Sequence, residues 1–183
     1  MPAYFMLSCY GKLPGTRAQV AIITHVEPSW IAGTRLSDVP EPVECEVVVG
    51  GEMVSMFRGG GLLMTERLVK ELRQAGVDNL DVYEAVIRDP ETGQTWTDYR
   101  AVNVVGVVSC ADMARSGTSA APGELIDVAF EGLVIDEKRA RGALMFRLAE
   151  AVGGIVVHER VKDHLVKAGF SDLAFHDPGA WIG

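Results

Sequence analysis

Cys110 has the clearest setting for a nucleophile. It closes the run Val107-Val108-Ser109-Cys110-Ala111-Asp112, and nucleophiles often stand at strand ends, where Asp112 or a distant histidine would support a thiolate. No spacing marks such a partner, and the elbow pattern G-x-S-x-G is missing. A buried cysteine acting as a small hydrophobe fits the same residues. A cysteine-dependent hydrolase or transferase using Cys110 therefore stays as an alternative reading, with Asp112 and Ser116 otherwise serving to cap or turn the chain.

Other chemistries find less support. The histidines are His25, His158, His164 and His176; His158 and His164, six residues apart, point roughly 240° apart around a helix and do not converge on one ion. There is no H-E-x-x-H and no cysteine pair at zinc spacing, so no metal is expected. His164 reads as a surface residue. Gly59-Gly60-Gly61 leads into a strand and not a helix, which suits a chain bend better than a phosphate cradle. No cofactor is expected. Arg58 and Arg147 each follow a Met-Phe pair. Their shared context predicts a structural arginine that packs its stem and pairs with a nearby carboxylate.

The elements that would hold these residues show a recurring order. Gly61-Leu62-Leu63-Met64-Thr65-Glu66-Arg67-Leu68 returns as Gly154-Ile155-Val156-Val157-His158-Glu159-Arg160-Val161. Leu72, Ala75-Gly76 and Leu80 return as Leu165, Ala168-Gly169 and Leu173. The offset is 93 throughout, so 61–83 reads as an internal repeat with 154–176. Each copy predicts strand, helix, strand: a short apolar run, a cap (Thr65, with His158 a poorer one), an apolar stripe at i, i+4 and i+7, and a glycine stop. Residues 43–49 alternate, with Glu44 and Glu46 on the outer face of a half-exposed strand. Asp89 to Gly93 reads as a turn after a strand over 82–87, and Ala101 to Val108 as one central strand apolar on both faces. Residues 11–42 read as mostly irregular and 116–123 as a loop.

These elements predict an α/β or α+β fold. It has two related lobes, each with a strand–helix–strand repeat, a mixed sheet and one shared core. The expected division is an N-terminal strand and irregular segment (1–42), a first lobe (43–115) and a second lobe (116–183), all in one compact unit. At 183 residues, 48% hydrophobic and 23% charged, the chain has the balance of a globular protein and not a disordered one. No apolar run approaches the roughly 18–20 residues of a membrane span, and the N-terminus reads as a strand and not a signal peptide. Three widely spaced cysteines (Cys9, Cys45, Cys110) fit reduced thiols and a cytoplasmic location.

The formal charge of −8 is localised. Residues 38–98 carry thirteen acidic side chains against five basic ones, and the rest of the chain balances at twelve each. Such a surface repels nucleic acid and would speed capture of a basic protein, although it also serves plain solubility.

The order of motifs resembles the myxobacterial-type immunity protein family of bacterial polymorphic toxin systems. The resemblance rests on Thr65-Glu66-Arg67-Leu68 with Gly76-Val77-Asp78-Asn79-Leu80, then Asp98 to Gly106, Asp112 to Ser116, Met145-Phe146-Arg147-Leu148 and Val157-His158-Glu159-Arg160. It implies a non-enzymatic protein that neutralises a cognate toxin in kin discrimination, and it brings no catalytic residues. Combined with the charge, it leads to the expectation of a basic toxin, such as a nuclease, met by Glu44, Glu46, Asp89, Glu91 and Asp98. A non-catalytic interaction or regulatory module of the same fold is the second reading.

Overall fold

The computed structural model describes residues 3–9, 21–24, 28–49, 51–58, 61–118 and 128–183. Residues 11–20, the bend residues Gly59 and Gly60, and the loop end 119–123 lie outside the described residues.

Among the described residues, twelve strands and three α-helices follow in chain order. The first strands are β1 (Tyr4–Ser8), β2 (Ala21–Thr24), β3 (Val43–Val49), β4 (Met56–Arg58) and β5 (Leu62–Thr65). Helix α1 (Glu66–Gln74) leads to β6 (Leu80–Arg88), β7 (Thr95–Trp96), β8 (Tyr99–Val104) and β9 (Val107–Val108). The last part holds α2 (Glu137–Ala140), β10 (Met145–Leu148), β11 (Ala151–His158), α3 (Glu159–Lys167) and β12 (Ala174–His176).

Two mixed sheets result. One runs β2-β3-β6-β8-β5-β4 with β7 paired to β6, and the other runs β12-β1-β11-β10-β9. In the first, β2 comes back into contact with β4 from the opposite end of the order, so this sheet curls around its own core of Trp30, Phe57, Tyr99 and Ile87. Period-two alternation divides each strand between cores. Leu62 and Met64 face a central cluster, while Leu63 faces the curled sheet's interior. Ile155 and Val157 meet Leu62 and Met64 in that central cluster, together with Leu68 and Leu72 of α1 and Val161 and Leu165 of α3. Both sheets and both long helices thus share one core, and the fold is α+β. A third cluster, around Phe130 and Phe146, lies on the far side of the second sheet.

Strands β5 and β11, 93 residues apart, pair alike with β4 and β10, which stand 89 residues apart. The hairpin pairs Met56↔Met64, Phe57↔Leu63 and Arg58↔Leu62 correspond to Met145↔Val157, Phe146↔Val156 and Arg147↔Ile155. Strand β5 then pairs β8 (Thr65↔Tyr99, Leu62↔Val102), and β11 pairs β1 in the same register (His158↔Tyr4, Ile155↔Leu7). The place of β8 is therefore taken, in the second sheet, by the N-terminal strand. Both helices run nine residues and stop at glycines of positive φ, +98° at Gly76 and +83° at Gly169, the left-handed region in which a β-carbon is costly.

Two local expectations change. The apolar run Ala101–Val108 is not one strand. It breaks at Gly106 (φ +111°), whose N–H donates to Gly33 O at 2.7 Å, and β9 crosses to pair in parallel with β10. Strand β8 is apolar on both faces because Ala101 enters the curled core while Val102 and Val104 enter the central one; past the break Val107 is exposed and Val108 packs on the third cluster. His164 is not a free surface residue. It is partly buried, and its Nε2 lies 2.8 Å from Glu71 Oε2. These two residues hold corresponding places on α3 and α1, so the helices meet there.

Candidate functional site

Strand β3 presents Glu44 and Glu46 to solvent because Val43, Cys45 and Val47 are drawn into the curled sheet's core. It runs parallel to β6, which sets Glu46 opposite Arg88 and Glu44 opposite Val86. Arg88 Nη1 reaches Glu44 Oε1 at 2.9 Å; both side chains are more than half exposed, so this ion pair contributes little stability. The chain then turns back to β7. Asp89 Oδ1 accepts from the N–H groups of Glu91 (2.9 Å) and Thr92 (3.2 Å), an Asx turn that closes the hairpin. Hydrogen bonding from the Thr92 side chain, aided by these amides, holds the Asp89 carboxyl below its ordinary value.

Glu44, Glu46 and Asp89 line a shallow hollow of about 300 Å³ with Cys45, Arg88, Pro90, Gly93 and Thr95. Glu91 is exposed and tied to this cluster through the turn. Asp98 stands apart, on the link between β7 and β8. Its carbonyl accepts the N–H of Glu66 at the start of α1, and it does not line the hollow. Three of the five acidic candidates thus line the hollow, and Glu91 is joined to them only through the Asp89 turn. With Glu44 paired to Arg88, Glu46, Asp89 and Glu91 remain, an arrangement that attracts cationic side chains. Cys45, at its floor, donates weakly to Val43 O at 3.7 Å, and burial pushes its thiol up to about 12.

Cys110 is fully buried, in the cluster of Tyr4, Phe130 and Phe146. Burial, with the charges of Glu150 and Asp136 adding to it, pushes its thiol up to about 12. A thiol so held is protonated at neutral pH and unavailable to substrate. Asp112 and Ser116 shape the following loop: Asp112 Oδ1 accepts from Ala114 N (3.2 Å), and Ser116 Oγ accepts from Val134 N (2.8 Å). Among the described residues, no cluster of histidine, cysteine and carboxylate side chains is suited to a metal.

Among the described residues, Arg147 does not pair with a carboxylate. It is buried and donates from Nη2 to Trp30 O (2.9 Å) and from Nη1 to Val152 O (3.0 Å). Burial, with the charge of Arg58 adding to it, lowers its guanidinium to about 10. Its role is to tie the segment before β3 to the second sheet. Asn79 does similar work between the sheets, donating to the carbonyls of Val105 and Met145. A buried arginine bonded only to carbonyls leaves no charge pattern in the sequence, which is why the spacing of Arg58 and Arg147 pointed elsewhere.

A family model described as an immunity protein family (Imm11) matches residues 22–180. No curated protein matches the chain.

Proposed function

We propose, from the premise that this chain belongs to the immunity protein family (Imm11), that it binds a cognate toxin in the cytoplasm and neutralises it without catalysis. The family match along residues 22–180 carries this reading. The charge distribution supports a finer one: the toxin is basic, a nuclease being the leading class, and it meets the hollow of Glu44, Glu46 and Asp89 with Glu91 beside it. Nucleases present cations to phosphate, and a carboxylate cluster competes for the same cations while steering encounter. Asp98 belongs to this interface only if the toxin also covers the start of α1. The absence of any helix long and apolar enough to cross a membrane, among the described residues, is compatible with this reading.

The test is co-expression with the protein encoded beside this chain. That neighbour is expected to be toxic alone and harmless together, and the two are expected to co-purify. Reversal of the hollow in E44K/E46K should then slow association about tenfold at low salt, with the difference shrinking as salt rises. Undiminished toxicity despite soluble expression of this chain would overturn the immunity pairing. An unchanged association rate would remove the acidic hollow from the interface and leave the immunity reading in place.

A further inference from the structure

We infer that the groove beside α1 is a second contact surface, taking an acidic segment of the partner that also carries an aliphatic side chain. The inference rests on the immunity reading above. One face of α1 supplies Glu66, Val69, Lys70 and Arg73, at i, i+3, i+4 and i+7, and β6 and β8 supply Val82 and Arg100. Together they bound an open hollow of about 500 Å³. Val69 is buried and Val82 partly buried against the central core, so the floor is apolar. Arg100 is held in place: Nη1 donates to Tyr99 O (2.7 Å) and Thr97 O (3.2 Å), and Nη2 pairs with Glu66. Three cations against one carboxylate make this a basic site on a chain of net charge −8.

Two observations identify its occupant. The first is the corresponding surface of the second sheet, which the chain covers itself. There Phe175 stands in the place of Val82, Phe5 in the place of Arg100, and Lys162 in that of Val69. Phe5 and Phe175 pack on the central core, and Lys162 Nζ lies 4.0 Å over the Phe5 ring. The scaffold therefore has a filled form, and α1 leaves the equivalent space open.

The second is continuity. Val82 and Arg88 lie on the same face of β6, opposite the face on which Ala85 and Ile87 enter the curled core. Six residues of strand separate them by about 20 Å, well within the footprint of a single protein partner. One face thus carries a basic groove at one end and the acidic hollow at the other. A partner that offers cations to the hollow has carboxylates as the complementary group at the groove. Its aliphatic side chain would cover Val69 and Val82.

Binding of the purified neighbouring gene product, followed in real time, tests this. K70E/R73E should weaken binding about tenfold, through faster dissociation, while K70R/R73K stays within about twofold of wild type. K70A/R73A should weaken it less than the reversal. K138E/R139E, the same charge change on α2, should have little effect, and thermal melts should show each variant folded. Binding by K70E/R73E within about twofold of wild type would overturn the groove while leaving the immunity reading standing. An equal loss in K138E/R139E would also overturn it, because bulk charge and not contact would then explain the loss. If wild type fails to bind the neighbour, the immunity reading falls, and the groove proposal falls with it.

Discussion

The β4–β5–α1–β6 half and the β10–β11–α3–β12 half of the molecule share a pairing scheme and a helix length, yet they treat the same position in opposite ways at Arg58 and Arg147. Each arginine is the third residue of a strand that begins Met-Phe-Arg, and each pairs with an aliphatic residue of the returning strand, Arg58 with Leu62 and Arg147 with Ile155. Arg58 is exposed, whereas Arg147 is fully enclosed. The difference lies in the connection. The second hairpin carries four more residues before its glycine, with a register shift after Arg147, and that longer return supplies the carbonyl of Val152 to the guanidinium. Trp30, from outside either half, supplies the other acceptor. A common strand–helix–strand frame thus sets where side chains stand, while short insertions and the N-terminal segment decide whether a charge is buried or free.

The largest test of this contrast is a matched pair of truncations. Arg147→Ala should cost about 4 kcal/mol in urea unfolding, because it leaves a cavity and two buried carbonyls without donors. Arg58→Ala, at the corresponding exposed position, should stay within about 0.5 kcal/mol. Equal losses at the two sites would show that the hairpin insertion does not determine what the arginine does.

How much of this was legible in the sequence varies with the range of the interaction. Local patterns read through: the stripes Leu68-Leu72-Ala75 and Val161-Leu165-Ala168, the caps and glycine stops, the alternation around Glu44 and Glu46, and the turn at Asp89 all depend on neighbours within about one helical turn or one hairpin. Pairings between distant segments did not. Nothing in Tyr4–Ser8 announces that it fills, beside β11, the position β8 holds beside β5. Residues Ala101–Val108 looked continuous because β8 is buried on both faces, between two cores, and the aliphatic Val105, Val107 and Val108 follow it without a polar break. Glu71 and His164 looked independent although they touch, since a spacing of 93 says that two positions correspond and not that they meet. In the acidic site, composition identified the charged stretch, but only strand order separates Asp98 from the other four carboxylates.

The two helix caps sharpen the comparison at smaller scale. Thr65 accepts from Leu68 N at 3.3 Å, and His158 accepts through Nδ1 from Arg160 N at 3.1 Å. The histidine also stands edge-on to Tyr4, with ring centroids 5.2 Å apart. Thr65→Ala should therefore cost about 1 kcal/mol, and His158→Ala about 1.5 kcal/mol, since an aromatic contact goes with the cap. His158→Asn should recover only the capping share. Full recovery by asparagine would mean that the Tyr4 contact contributes nothing.

The smallest effect concerns a feature found in the first half alone, the turn after β6, and it is a matter of pH. The Asp89 carboxyl is lowered from its ordinary 3.8 by the Thr92 side chain and by the Glu91 and Thr92 amides, so the folded turn favours the charged form. Its contribution is complete above the unfolded carboxyl's value and is lost as pH falls through the lower folded value. The pH titration that the Glu91 and Thr92 amide shifts share with the Asp89 carboxyl should accordingly have its midpoint below 3.8. In Asp89→Asn, which keeps an acceptor oxygen and has no charge to titrate, that titration should vanish while the hairpin persists. Amides that titrate at or above 3.8 in the wild-type chain would mean that the carboxylate does not hold the turn. The tie of Glu91 to the hollow through this turn would then need another cause.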